Sequence, residues 1–392
     1  MKQTGSDVVI VGAGVIGCAI ADELSRRKVA VTLIDRGPIG REASWASAGI
    51  ISLPNRPTMP PELVEISRLG FERYPALVAE LEAETGVAIE FRRPGQIMVA
   101  VNQASAAAAR AIATWQQGLG FEITALTVEE ARRLEPTLSP DLQAAWFTPG
   151  VGSLSVYRLT QALAMSAARR GATILTDTPV GSLIRDGRRV TGVQLATGPV
   201  AATTVILAAG AWTRFLGETV GATVPTTPIK GQLLAFSHPT KRPTHLLSGH
   251  GGYVRPRVDG TTLVAATEED VGFDRRVTGD GIEWLLGLTR TLCPVLLEGE
   301  LVETWTGLRP GSATGQPVLG PVPGCDGLWV ATGHFRTGAK EAPGTAMLIA
   351  ESLTTGQLDS RLMPFTPPAI EVPAPAAVDR DISLEMASNA SP

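Results

Sequence analysis

The chain has 392 residues, 44% of them hydrophobic and 18% charged, with a formal net charge of −4 at pH 7. That length calls for two domains with ample core, and the charge gives no reason to expect nucleic acid or an anionic membrane as partner. Three cysteines (Cys18, Cys293, Cys325) share no metal-like or redox spacing, which fits a reducing, cytoplasmic compartment, and neither a leader-like segment nor an apolar run of about 18 residues points to a membrane.

Residues 7–35 read as a buried strand, a Gly12-x-Gly14-x-x-Gly17 turn, a helix and a second strand ending in Asp35. Gly12 permits the tight turn, Gly14 lets backbone approach a pyrophosphate, and Gly17 lets the helix pack closely on the strand. The helix start at Val15 and Ile16 then faces the phosphates with free N–H groups. Asp35, followed by Arg36, falls where a carboxylate accepts both ribose hydroxyls of an adenosine. The unit therefore binds a dinucleotide.

Further along, Glu42–Ile51 collects small residues around one Trp, including Ser44, Trp45, Ala46, Gly49 and Ile50. Such a stretch either admits something large and flat or forms a tightly packed turn. Apolar spacing predicts helices over 61–85 and 104–118, a strand pair over 89–101 around Pro94-Gly95, and a short charged helix over 128–135. A helix at 157–170, a strand at 173–175 and a ribbon turning at Asp186-Gly187 come next. The strand 204–207 ends in Ala208-Ala209-Gly210-Ala211-Trp212. A β-rich block then spans 228–267, with strands at 231–236, 253–257 and 263–267, before a helix at 279–292 and a strand at 301–307. The last α/β unit has a strand at 328–331, a Gly-rich turn at 332–338 and a helix over 344–355. Beyond Pro364 the Pro/Ala-rich tail has almost no periodicity and is expected to be disordered.

Dinucleotide-binding pieces thus alternate with β-rich pieces. The expected fold is α/β: a Rossmann-like cofactor domain (5–80, 150–226, 306–364) interleaved with a smaller α+β substrate domain on an antiparallel sheet (81–149, 227–305), then the tail 365–392. A nicotinamide enzyme needs one fingerprint, whereas here two more strands, ending at Ala209, Gly210 and Trp212 and at Gly333-His334, approach the same sheet edge. The C-terminal helix can aim its positive end at a flavin carbonyl. Those features favour FAD.

The segments Gly12–Gly17, Glu42–Ile51, Tyr253-Val-Arg-Pro-Arg, Ala265–Asp274, Trp305-Thr-Gly-Leu-Arg-Pro-Gly311 and Thr332-Gly-His-Phe-Arg-Thr-Gly338 resemble the D-amino-acid oxidase family. Within it they are most similar to the glycine oxidases of bacterial thiamine biosynthesis. The resemblance implies non-covalent FAD and oxidation of glycine, sarcosine or a small D-amino acid. Hydride passes from the α-carbon to flavin N5, and O2 is reduced to H2O2. A dehydrogenase using another acceptor is the alternative, and a homo-oligomer is a family habit.

Such chemistry needs a device that holds the substrate carboxylate, and an arginine fork grips a carboxylate with two parallel hydrogen bonds. By resemblance Arg309 is that arginine, Tyr253 shares the carboxylate through its hydroxyl, and Arg336 lies over the flavin beside the substrate. His334 reads as a packing or hydrogen-bonding residue rather than a base. By the same resemblance Trp45, Ala46 and Gly49 line the flavin ring, Gly333, Phe335, Thr337 and Gly338 complete the expected flavin contacts, and the backbone of Val180 meets the adenine. Arg255 and Arg257 read as strand residues facing solvent or bracing a loop. Relatives usually carry an apolar run where this chain has Ala339-Lys340-Glu341; Lys340 is either a cofactor contact or half of an exposed pair. Cys325, just before the third cofactor strand, is the one candidate for covalent flavin attachment.

Overall fold

The computed structural model describes residues 6–369, so the expectation for the tail lies largely outside the described residues. Two eight-stranded sheets organise the chain. At the centre of the first lies Ser6–Val11, whose apolar residues Val8–Val11 are buried, as a parallel strand covered on both faces requires. It pairs in parallel with Gly198–Leu207 on one side and Val31–Ile34 on the other. Leu328–Thr332 and Thr173–Leu175 extend the sheet in parallel, and Val318–Pro321 adds an antiparallel edge. The ribbon Val180–Asp186 with Arg189–Leu195 turns where expected and joins Gly198–Leu207.

Strand register aligns the cofactor-facing ends. Val11 lies beside both Ile34 and Leu207, and Leu207 lies beside Val330. Because these strands are parallel, their carboxyl ends share one edge, and the next residues, Gly12, Asp35, Ala208 and Ala331, meet there.

Helices Val15–Arg26, Pro61–Thr85, Val156–Arg169 and Gly338–Thr355 bury their apolar faces in one cluster on this sheet. Two glycines permit the close crossing of the second and last of these. A Cβ at Gly70 would sit 2.1 Å from the Lys340 carbonyl oxygen, and one at Gly344 would sit 2.4 Å from that of Ile66. The last helix begins at Gly338, ahead of the expected Gly344, and Pro343 lies inside it. Proline lacks the N–H that would bond the carbonyl four residues back. That carbonyl, on Ala339, instead accepts from the Tyr74 hydroxyl. The lost rung is replaced from a neighbouring helix, so the helix does not stop at the proline.

The second sheet runs Glu300–Ser312, Thr226–Ser237, Thr261–Ala265, Gly252–Pro256, Leu246–Gly249, Gln96–Ala100, Ala144–Thr148, Thr124–Leu126. Its neighbours are antiparallel except Leu246–Gly249 with Gln96–Ala100. The expected strand pair over 89–101 reduces to Gln96–Ala100, because Pro94 and a left-handed Gly95 (φ 84) interrupt it and Arg92 makes only an isolated bridge to Ser153. Alternation sorts the sheet's two faces. Leu234, Val254 and Val264 pack under helix Gly279–Leu292 through Leu285, Leu288 and Leu292. Their odd-numbered neighbours face the other way, toward the first sheet's edge. The boundary expected between 305 and 306 falls inside the single strand Glu300–Ser312.

Candidate active site

A cavity of about 420 Å³ lies between the carboxyl edge of the first sheet and the odd-numbered face of the second. Its floor is set by strand register. Gly231 pairs with Gly307, Leu233 with Ala265, and Ala265 with Tyr253. These residues and Arg309 share one face, and all line the cavity.

At one end are the glycine turn and Asp35. A Cβ on Gly12 (φ 114) would meet the Ala208 oxygen at 2.4 Å, and one on Gly17 would meet the Gly12 oxygen at 1.9 Å. Gly12 and Gly17 are therefore steric necessities of the fold, Gly17 behind the lining, whereas a Cβ on Gly14 would meet only Ser44 Oγ at 3.5 Å. Asp35 Oδ2 accepts from the Ala13 N–H at 2.6 Å and Oδ1 from the Gly37 N–H at 2.9 Å. Burial raises its pKa while those N–H groups hold it down. Each oxygen keeps a lone pair for a further donor. The Ser44 hydroxyl accepts from the Val15 N–H at 2.9 Å. Val180 lines this end with Thr178 and Pro179, placed there because the Thr178 N–H donates to the Asp35 carbonyl at 2.8 Å. Arg36 stacks 4.0 Å over the Trp212 ring and pairs with Glu42 at 2.9 Å. Ile16, Gly14, Ala46, Gly49, Ile50, Ala209 and Gly210 line the cavity as expected.

Two expected contacts sit elsewhere. Trp45 does not line the cavity. It packs 6.4 Å from Trp305 and lies under Arg41, because the turn that aims Ala46 inward aims its neighbour outward. Gly333 (φ 75) is set back against Val318, supplying the turn rather than a wall. Arg255 is buried, not solvent-facing; its Nη1 donates to the Ala48 carbonyl at 3.0 Å and braces that loop. Arg257 lies over Trp305 at 5.6 Å. Cys325 is buried in the core beneath the first sheet and lines no part of the cavity, so covalent attachment through it has no geometric support.

Arg309, Tyr253 and Arg336 converge at the other end. The Arg309 guanidinium lies directly over Gly231, where a Cβ would come within 2.2 Å. Its Nη1 donates to the carbonyls of Thr267 at 3.1 Å and Lys230 at 3.3 Å. Both carbonyls belong to segments fixed by Glu269, which accepts from Lys230 Nζ at 2.8 Å, Gln232 Nε2 at 2.8 Å and Thr267 Oγ1 at 2.5 Å. Burial, then the cation on Arg336, lower the Arg309 pKa to about 10, so it stays charged at neutral pH. Arg336 pairs with Glu268 at 3.2 Å, donates to the Gly251 carbonyl at 3.3 Å and lies 5.9 Å from the Tyr253 ring.

The C-terminal turn and helix start form the remaining wall, through His334, Phe335, Thr337, Gly338 and Lys340. His334 is buried, which drops its pKa to about 3 and leaves it neutral. Its Nε2 bonds Thr345 Oγ1 at 3.1 Å. Lys340 and Glu341 are both buried, which rules out the exposed pair. Lys340 Nζ donates to the Leu53 carbonyl at 3.2 Å, and Glu341 accepts from Ser67 and Thr337 hydroxyls at 2.8 Å each.

A family model described as FAD dependent oxidoreductase matches residues 7–352. The chain belongs to that family. This flavoenzyme is 36% identical to a glycine oxidase of Pseudomonas aeruginosa over 352 residues, covering 88% of the chain and 94% of that protein. The crystal structure of glycine oxidase from Geobacillus kaustophilus superimposes with a TM-score of 0.87 at 34% identity, covering 92% of the chain and 98% of that structure. An iminodiacetate oxidase from Chelativorans superimposes with a TM-score of 0.85 at 27% identity, covering 93% and 100%.

FAD is the flavoenzyme's cofactor, and the residues present fit it. The turn from Gly12 to Gly17 presents bare backbone, with no room for a Cβ at Gly12 or Gly17, and the Asp35 carboxylate accepts from the Ala13 N–H within it. Among the described residues, the buried His334 Nδ1 has no protein partner. The first N–H groups of helix Gly338–Thr355, on the cavity wall, have no partner within their own helix. Sequence reasoning missed the alternating floor, although the odd spacing 231, 233, 307, 309 is visible, and it gave no role to Glu268 and Glu269, although both lie in the segment Ala265–Asp274.

Proposed function

We propose that the flavoenzyme oxidises glycine or another small amino acid, such as sarcosine or a small D-amino acid, with O2 as acceptor and H2O2 as product. The observation that carries this reading is the guanidinium of Arg309, held over Gly231 at the end of the cavity opposite Asp35. FAD when bound would supply the two-electron acceptor for the hydride of the substrate α-carbon. The chain's task is then positional: Arg309 and the Tyr253 hydroxyl hold the carboxylate, and Arg336 borders it. Held this way, the substrate offers one α-C–H bond in a fixed direction, and no strong protein base is required. His334, buried and neutral, holds the wall through Thr345 rather than taking a proton.

Asp35, Val180 and the glycine turn would hold the adenosine and pyrophosphate. Ala46, Gly49 and the Phe335–Lys340 segment would hold the ring, with Lys340 contributing a cation. The two sheets divide the work between a cofactor domain and a substrate domain, interleaved in sequence. No described helix is long and apolar enough to cross a membrane, and a cytoplasmic location is in keeping with the unpaired cysteines.

A peroxide assay with glycine, sarcosine, D-alanine, D-proline and iminodiacetate tests the reading. Peroxide with at least one small amino acid, lost in Arg309→Met, is expected. Flavin reduction without peroxide under air would make the enzyme a dehydrogenase instead, and no reduction by any of the panel would refute the substrate class.

A further inference from the structure

Two guanidiniums stand at the substrate end, and they are not equivalent. Arg309 has no carboxylate within ion-pair distance among the described residues and gives Nη1 to two backbone carbonyls. Arg336, by contrast, is already paired with Glu268 at 3.2 Å, and its other terminal nitrogen is tied to the Gly251 carbonyl at 3.3 Å. The neighbouring acid, Glu269, is committed elsewhere, to Lys230, Gln232 and Thr267. The site therefore presents one unneutralised cation to an entering anion, with a carboxylate standing behind the second cation.

We infer that Glu268 makes this site select substrates carrying one carboxylate over substrates carrying two. The inference rests on the proposal that Arg309 grips a substrate carboxylate. A monocarboxylate needs only Arg309 and the Tyr253 hydroxyl. A second carboxylate would have to settle against Arg336, where it either displaces Glu268 or sits beside its negative charge. Two carboxylates sharing one guanidinium repel; with Arg336 34% and Glu268 49% exposed, water screens part of that repulsion, so the effect is a moderate one on an affinity ratio. Glu268 acts through Arg336 and not on the reacting atoms, so it is a positioning residue whose effect is read as a ratio of affinities. Loss of fold or of general activity would not move that ratio.

The test uses the holoenzyme and two unreactive acids, acetate and malonate, titrated at fixed ionic strength and monitored by perturbation of the flavin visible spectrum. Glu268→Gln keeps the side chain's size and removes its charge. It is expected to shift the malonate-to-acetate affinity ratio about tenfold toward malonate, the effect of deleting one charge a few ångströms from the second carboxylate. Arg336→Met leaves Glu268 unpaired and is expected to shift the ratio the opposite way. Because Arg336→Met also removes the second carboxylate's own partner, Glu268→Ser carries the test if Glu268→Gln does not retain flavin. Ratios unchanged from the wild type overturn the inference, as does a shift of the same sign in both variants. Arg309→Met separates the underlying reading: acetate binding should vanish there, and its persistence refutes the carboxylate clamp whatever the ratios show.

Discussion

Replacing Gly231 with alanine probes the carboxylate clamp without touching a charged residue. The added methyl would stand 2.2, 2.4 and 2.5 Å from the Nη2, Nη1 and Cζ atoms of Arg309. Ordinary contact is roughly 3.5 Å, so the guanidinium must withdraw by roughly 1 Å. Withdrawal breaks its bonds to the Lys230 and Thr267 carbonyls, which are already 3.3 and 3.1 Å long. Gly231 lies in a regular strand opposite Gly307, so alanine brings no backbone strain there. Overpacking of this kind should cost about 1–3 kcal/mol of stability, whereas a 1 Å misplacement of a substrate-holding group costs about a hundredfold in kcat/KM. Flavin content, melting temperature and kcat/KM for the best substrate of the peroxide panel are measured on one preparation. A variant that keeps its flavin and a cooperative melt at the assay temperature but loses most of its kcat/KM supports the geometry. If kcat/KM stays within about twofold of the parent, Arg309 does not hold the substrate where the structure places it.

Three further substitutions have definite expected outcomes. Glu135 is buried with its carboxylate bonded to Thr137, Thr244 and His245, which holds its pKa near 2, below the usual 4.5. Its contribution is complete above 4.5 and is lost as pH falls toward 2, so Glu135→Gln should lower stability at pH 7 by about 2 kcal/mol and flatten the acid limb of a denaturation profile. Lys340 has one partner, and burial lowers its pKa from 10.5 to about 8. Because the folded value is the lower one, stability should rise as pH climbs from 8 to 10.5. Lys340→Met should abolish that rise and raise the Tm at neutral pH. The proposed contact of Lys340 with FAD adds a lower flavin midpoint potential in the same variant; an unaltered potential removes the contact. Gly344→Ala forces a methyl to within 2.4 Å of the Ile66 carbonyl and should cost about 1–3 kcal/mol by thermal denaturation, with no loss if the helices can part freely.

Local patterns foretell the cofactor half well, because each of its parts has a backbone cause. Gly12 and Gly17 have no room for a side chain, Asp35 ends a buried strand, and Ala209-Gly210 ends another on the same edge. The helix over 61–85 forms as expected despite Pro75. The start of the C-terminal helix is hidden because Pro343 reads as a stop, and only the distant Tyr74 hydroxyl removes the reason for stopping. The strands Ala144–Thr148 and Leu246–Gly249 are short, and the sheet that stabilises them is assembled from segments far apart in the chain. The resemblance puts Trp45 at the ring, yet which of two adjacent turn residues points inward depends on Trp305, many residues later. Glu268 lies in the segment Ala265–Asp274, yet its role is hidden for the same reason: its meaning comes from Arg336, brought to it only by folding.

The alternation that puts Gly231, Leu233, Gly307 and Arg309 on one side of a sheet has a corollary for how such a protein tolerates change. Inserting or deleting a single residue in Glu300–Ser312 ahead of Arg309 would move that side chain to the opposite face of the sheet, where Leu308 stands beside Lys230, and take the guanidinium away from Gly231. Point substitutions at odd positions can retune the appetite of the enzyme one side chain at a time, while indels in this ribbon are all-or-nothing. Natural length variation should therefore gather in the loops that join these strands and avoid the strands themselves.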